Sequence, residues 1–363
     1  MLTHSARVAI YLMLKHGLPP KSKVAVTAFT LSDVINMLFC AGHEPVFVDT
    51  DKMTGALDEQ AFFELAEAGG VDAILLTHFF GTMHTTARLI EYCETKGIQI
   101  FEDAAQVFGG KGEAGAAGSH GLASAFSFGR LKPTSSIRGG CVLTDDEDLY
   151  IRMKSEQQQW PAEGFIAALK EAVFPFIIKT ITLKPVFNLL TFWIFRFGVT
   201  KDIDVITSLL KIERNPKKFT SLPENFVVRP HPAFFAVLHR EIERFSENVV
   251  SRGRVAAHYV EEVAGCEQVS LYNLRPGNDV LYVLAASVKE PGGLRSFLYQ
   301  KNKEISVCYH KNCAALPCFS EHAAPASNAA MIERTTIYLP CNPDMQRSAV
   351  AKIVKDIASY YQQ

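Results

Sequence analysis

The chain has 363 residues, 48% of them hydrophobic and 21% charged, with a formal net charge of −1. That size suits a large α/β domain with a smaller companion, and that apolar share builds a sizeable core, which excludes bulk disorder. The even charge balance carries no basic excess or stripe, so nucleic acid is excluded as a partner. In chain order, Met1–Gly17 reads as an amphipathic core helix, too short to span a bilayer and without a convincing cleavage site. Strand-like and helix-like segments then alternate. KVAVTAF (23–29) is a strand and SDVINMLFCAG a helix stopping at Gly42. PVFVD is a strand and LDEQAFFELAEAGG a helix with a glycine stop. DAILLTH is a strand and HTTARLIEYCETKG a helix. IQIFED, ASAFSF and GGCVLT are strands, and DDEDLYIRMKSEQQQ is a helix. Apolar runs of this length without alternation suit strands covered on both faces, and their alternation with helices predicts a doubly wound, mostly parallel sheet.

From residue 164 to 198 the character changes. FIAALKEAVFPFIIKTITLKPVFNLLTFWIFRFG is strongly apolar but punctuated by Lys170, Pro175, Lys179, Lys184 and Pro185. A Pro-rich connector covers 215–232, and residues 233–265 read as one long helix of period 3.6. DVLYVLAASV, ISVCYH and TTIYLP are strand candidates, and SAVAKIVKDIASYYQ closes the chain as a helix. The expected division is a large domain over 1–215, with the apolar stretch as a helical insert, and a small α+β domain over 216–363. The eight cysteines form no CxxC pair, and the spacing of Cys308, Cys313 and Cys318 is unlike a zinc site. They read as reduced thiols of a cytoplasmic protein, with no metal site.

Ligands of an open α/β sheet bind beyond the carboxyl ends of its strands. Asp103 and Gln106 follow one such end, Thr77 and His78 another, and Ser127 a third, with Lys132 five residues on. Each has an ordinary reading alone: Asp103 or Ser127 as a cap, Lys132 as a solvated surface lysine, His78 as a hydrogen-bonded strand end. Together, a carboxylate, an amide, a hydroxyl and a lysine on one rim are what pyridoxal phosphate needs. The acid holds a proton on the ring nitrogen, the lysine holds the aldehyde, and that lysine later moves protons.

The motifs make the resemblance specific. EDAAQ stands at Glu102–Gln106, and Ser127, Phe128 and Lys132 match a Ser-Phe-x-x-x-Lys pattern. GHEPVFVDTD, THFFGTMH, GGCVLTDDEDL, ISVCYH and TTIYLPCNPDM supply further landmarks over nearly the whole chain. The sequence resembles the DegT/DnrJ/EryC1/StrS aminotransferases, which have the fold-type I pyridoxal phosphate architecture. The resemblance implies that Lys132 carries the cofactor, Asp103 pairs with its ring nitrogen, Gln106 lies by the ring hydroxyl and Ser127 binds the phosphate. A segment at His4, Ser5, Ala6 and Arg7 takes the place of the family's phosphate-capping helix start, where Ser5 and Ala6 open a helix N-terminus. It also implies a homodimer, an amino-acid donor such as glutamate, a keto-sugar nucleotide or lipid-like carbonyl acceptor, and a place in polysaccharide or secondary-metabolite biosynthesis.

Several positions depart from the family pattern. Leu31, with Phe29 nearby, stands where an aromatic covers the ring. Pro133 replaces an Asn, Arg138 an acid, and Val227, beside Asn225, an Asn that reaches the phosphate across the dimer. Related sugar dehydratases carry a histidine in place of the lysine, so Lys132 argues against dehydration. A non-catalytic regulatory or membrane-associated protein on the same fold is the alternative. For 164–198 two readings stand: packing in the dimer or on the second domain, or an apolar surface resting on a membrane.

Overall fold

The computed structural model describes residues 1–84, 86–129, 132–181, 183–194, 197, 216–272, 274, 280–303 and 305–362. The expected boundary at residue 215 and the aromatic at Phe195 lie outside those residues.

Five strands run parallel in the order β7 (Ala123–Ser127), β6 (Gln99–Asp103), β5 (Ala73–Thr77), β2 (Lys23–Thr27), β4 (Glu44–Val48). β8 (Gly140–Leu143) joins antiparallel to β7, and β1 (Leu2–Thr3) closes that edge antiparallel to β8. The α/β sheet with a mostly parallel core is thus as expected. Its central strands are mostly apolar because helices cover both faces, and the polar residues gather toward their ends.

The helices start where side chains satisfy the first free N–H groups. Asp58 caps α3 (Glu59–Glu67), Thr86 caps α4 (Ala87–Lys96) and Asp146 caps α5 (Glu147–Gln158). α1 (Ala6–Gly17) corrects the amphipathic reading of the N-terminus. Val8 through Leu14 are all buried, because the helix lies between β7 and β8 on one side and α2 (Ser32–Cys40) and α5 on the other.

Gly140 holds α1 to the sheet. A Cβ there would sit 2.5 Å from Ala6 N and Ser5 C. Gly140→Ala should force β8 and the start of α1 apart and destabilise the chain by about 1–3 kcal/mol. A drop in the urea midpoint at unchanged slope checks this.

The expected helix over 233–265 is two helices, α7 (Ala233–Glu243) and α8 (Phe245–Val263). Arg244 sits at ψ 0° between them. The turn lets Leu238 pack beside Phe126 and Phe128, while Phe245 packs 5.2 Å from Phe108 against the Cβ-free side of Gly109. A continuous helix would have lost one of those contacts.

A second, antiparallel sheet has the order β11 (Ser306–Val307), β13 (Thr336–Leu339), β10 (Leu284–Val288), β9 (Val269–Leu271). α8 and α11 (Arg347–Tyr360) pack with it around a core of Tyr259, Leu284, Ile337 and Val350. Two expected strands are shorter than their apolar runs. Residues 280–283 leave the sheet, and Val280 N–H donates to Gly81 O at 2.9 Å. Cys308–His310 likewise turn away toward the large sheet. There β12 (Lys311–Asn312) pairs with β3 (Phe29–Thr30), so the chain after residue 305 reaches the strand ends of the large sheet.

The apolar stretch folds as α6 (Phe165–Ile181) followed by a helical segment from Lys184 to Thr191. Thr191 Oγ1 donates to Ile181 O at 2.7 Å and ties the two together. No described helix is long and apolar enough to cross a membrane.

Candidate active site

Asp103 ends β6, Thr77 ends β5 and Ser127 ends β7, so the sheet delivers three of the expected residues to one rim. Register extends that rim. Ser127 faces Gly140, and Gly140 faces Thr3, which places the N-terminus of α1 two strands beyond Ser127. Ser5 caps this helix through its Oγ, accepting from Val8 N at 3.4 Å.

Gln106, Ser127, Lys132 and Thr134 line one cleft, closed by Phe108, Pro133, Phe245 and Val280. Lys132 Nζ rests 3.8 Å from the centre of the Tyr282 ring, a cation–π contact. Thr134 Oγ1 is buried and has no partner among the described residues, and Thr77 Oγ1 is in the same state. An orphaned hydroxyl beside Ser127 and Lys132 suits a phosphorylated ligand, whose oxygens would satisfy it.

Asp103 is 4% exposed and accepts from Ala105 N at 3.1 Å. Burial pushes its carboxyl above the ordinary range. The Ala105 N–H and the charges of Lys132 and His78 pull it back. Glu102, fully buried, accepts from His120 N at 3.2 Å and bonds His78 Nε2 at 3.0 Å. Of the two acids of EDAAQ, then, Glu102 engages His78, while the charge of Lys132 acts on Asp103.

Gln106 is held at both ends. Its Oε1 accepts from Phe80 N at 3.0 Å, and its Nε2 donates to His310 Nε2 at 3.1 Å. His310 must then carry its proton on Nδ1, which faces the Tyr338 hydroxyl at 2.7 Å. Its ring stacks on Tyr309 at 4.6 Å and packs against Phe29 and Phe79. Tyr309 bonds Tyr282 at 3.0 Å, which returns the chain of contacts to the ring under Lys132. Phe80 (φ 61°), whose N–H bonds Gln106, and Ile137 (φ 74°), on the loop after Lys132, hold left-handed backbone, each a strain of about 1 kcal/mol or more.

His310, Tyr282 and Thr134 were not singled out in the sequence. ISVCYH carried His310 in view, but only the β12–β3 pairing brings it to Gln106. The departures have structural counterparts. Leu31 stands at the N-cap position of α2 with no side-chain cap bond, and Phe29 packs on His310 rather than lying open to the cleft. Arg138 pairs with Glu163, and with Glu171 at 3.8 Å. Phe226, beside Asn225 and Val227, packs over the start of α1, 6.1 Å from His4 and 4.6 Å from the Arg7 guanidinium.

Burial lowers His310 to about 3, with the Lys132 charge adding to it, and lowers His4 to about 3, with Arg138 and Arg7 adding. Both stay neutral in the folded chain where an unfolded histidine takes a proton near 6.5. The unfolded state therefore binds more protons, and stability is lost as pH falls from about 6.5 toward 3. The slope is up to ~1.4 kcal/mol per pH unit for each histidine. Unfolding midpoints at pH 7 and pH 5 should separate accordingly, and His310→Asn should narrow the gap.

Residues 2–159 and 234–358 match the model of the DegT/DnrJ/EryC1/StrS aminotransferase family. Among curated proteins, the chain is 33% identical over 143 residues to a pleiotropic regulatory protein of Geobacillus stearothermophilus, covering 39% of this chain and 38% of that protein. It is 30% identical over 146 residues to a GDP-perosamine synthase of Escherichia coli O157:H7, covering 40% of each. These matches span about two fifths of the curated relatives' length. Among solved structures, the fold resembles Helicobacter pylori PseC, an aminotransferase of pseudoaminic acid biosynthesis. The TM-score is 0.75 at 16% identity, over 100% of this chain and 86% of that one. A DegT DnrJ EryC1 StrS aminotransferase from Brucella abortus gives 0.72 at 19% identity, over 100% and 86%. With the family model covering most of its length on both sides of the apolar stretch, the chain belongs to the DegT/DnrJ/EryC1/StrS aminotransferase family.

Proposed function

We propose that this chain is a pyridoxal 5′-phosphate-dependent aminotransferase that moves an amino group from an amino-acid donor, glutamate first among them, to a keto or aldehyde acceptor. The observation that carries the reading is the joint cleft of Lys132, Ser127, Thr134 and Gln106 with Asp103 buried behind it. A carboxylate, a primary amine and orphaned hydroxyls form a donor set that fits this cofactor.

When bound, the cofactor supplies an electron sink for a carbanion beside nitrogen. Asp103 keeps a proton on the ring nitrogen. Lys132 would hold the group covalently and would supply the amine that moves a proton at the reacting carbon. Gln106, clamped between Phe80 and His310, would hold the ring hydroxyl side. Ser127, Thr134 and the α1 start at Ser5 and Ala6 would receive the phosphate. Phe108 and Phe245 cover the cleft and keep water from the site.

The proposed organisation is a cofactor-binding domain over 1–215 and a small domain over 216–363, in a cytoplasmic homodimer. Relatives named for perosamine and pseudoaminic acid synthesis favour a keto-sugar nucleotide as acceptor, with a lipid-like carbonyl the second class to assay. The test is the visible spectrum of the purified chain with cofactor. Glutamate should bleach the lysine-bound band and a keto-sugar nucleotide should restore it. A chain that holds the cofactor but bleaches with no amino acid would instead support a regulatory role, the reading that one relative's name favours.

A further inference from the structure

The family model leaves residues 160–233 unmatched, and this stretch holds the largest run of exposed apolar side chains in the described residues. On α6, Phe165, Ile166 and Phe176 are 68–71% exposed, and Leu169, Val173 and Ile177 are exposed beside them. On the following segment Leu183, Leu189, Leu190, Trp193 and Ile194 are exposed as well, Leu189 to 80%.

The α6 positions obey one register. At 3.6 residues per turn, 165, 166, 169, 173, 176 and 177 fall within about 120° of the helix circumference. Lys170 falls just beyond one edge of that stripe, at about 20°. Glu171 stands on the opposite side and faces Arg138 at 3.8 Å. The charged residues of 164–197 are Lys170, Lys179, Lys184 and Arg196 against Glu171 alone, so the stretch is cationic in a chain whose total is −1.

We propose that this helical pair is a membrane-docking element that lies in the plane of an anionic lipid surface, with the α6 stripe and Trp193 in the headgroup–acyl boundary and the flanking lysines at the lipid phosphates. A stripe of this width bordered by lysine, in a stretch with a cationic excess, is the pattern of a helix lying in an interface, where long cationic chains reach the headgroups. Trp suits the same boundary because its ring is amphipathic. α6 is too short to span a bilayer and Pro185 follows it, so the element lies on the surface. A second copy of this chain fits less well. A two-fold contact would set one lysine-bordered stripe against another and leave the excess positive charge without a partner. The element is anchored at its base: Arg138, on the loop that carries Lys132, pairs with Glu163 and Glu171. Docking would therefore hold the cleft at a fixed attitude to the lipid surface.

The full-length chain tests this with its own fluorescence. Trp160 and Trp193 are its two tryptophans, and Trp160 is buried, so Trp160→Phe leaves Trp193 as the reporter. With vesicles of phosphatidylglycerol and phosphatidylcholine, Trp193 emission should shift to the blue and be quenched by brominated acyl chains. Phe176→Ser/Ile177→Ser should abolish both signals. Lys170→Glu/Lys179→Glu should weaken binding to the anionic vesicles about tenfold or more. The proposal is overturned if Trp193 emission is unchanged by vesicles. It is equally overturned if light scattering shows Phe176→Ser/Ile177→Ser splitting a dimer while the unmutated chain ignores lipid, since the surface then seats a second copy.

Discussion

Lys132→Ala should abolish turnover and the visible band of bound cofactor together, while the fold survives. The ammonium rests on the Tyr282 ring in a half-buried position, a contact worth about 1 kcal/mol, so its loss costs little stability. Its chemical loss is far larger. The side chain supplies both the covalent anchor and the mobile proton, and a positioned proton-transfer group alone contributes ~10²–10⁴-fold. Lys132→Arg separates charge from chemistry, because it keeps the cation over Tyr282 but offers no amine of suitable pKa. Both variants should unfold near the unmutated midpoint. Turnover within a few-fold of the unmutated chain in either one would remove the lysine from the mechanism.

The large sheet was legible because its physics is local. KVAVT, AILLT and ASAFS carry no polar alternation, which only strands covered on both faces tolerate, and helix starts at Asp58, Thr86 and Asp146 carry their caps in sequence. EDAAQ and the Ser127–Lys132 spacing placed the rim. What stayed hidden depends on distant partners. The apolar period runs unbroken through Arg244, and the break exists only because Phe108 and Gly109 receive Phe245. The sequence assigns PGGLRSFLYQ to no element, and α9 (Pro291–Gln300) forms there. At Gly293 the Tyr360 hydroxyl approaches to 2.2 Å from where a Cβ would stand, so a larger residue there would displace that side chain. α10 (Ser327–Thr335) is short and bears no sequence cap, while its amides at Asn328 and Ala329 are satisfied by Asp49. His310 reaches Gln106 across 204 residues, and nothing near it in sequence marks that bond.

Asp103→Asn should lower activity by roughly 10²–10³-fold, the range for removing one preorganised electrostatic group, and should at the same time stabilise the cofactor-free chain. The two effects share one cause. Burial raises the Asp103 carboxyl, so the ionised form is unfavourable in the folded chain. Ala105 N–H, Lys132 and His78 offset that only in part. Asparagine keeps the shape and an oxygen to accept from Ala105 N, but it carries no charge to desolvate. The sign with pH follows. A carboxyl whose folded pKa is raised binds more protons folded than unfolded, so its unfavourable contribution is absent below the ordinary carboxyl range, grows as pH rises through the raised value and is constant above it. The unfolding midpoints of Asp103→Asn and the unmutated chain should therefore coincide in acid and diverge toward neutral pH, with the variant the more stable. Cofactor should close the gap from the other side, because a protonated ring nitrogen supplies the positive partner that the buried carboxylate lacks. A variant that is both active and less stable at pH 7 would mean that Asp103 is a structural acid and that another group protonates the ring.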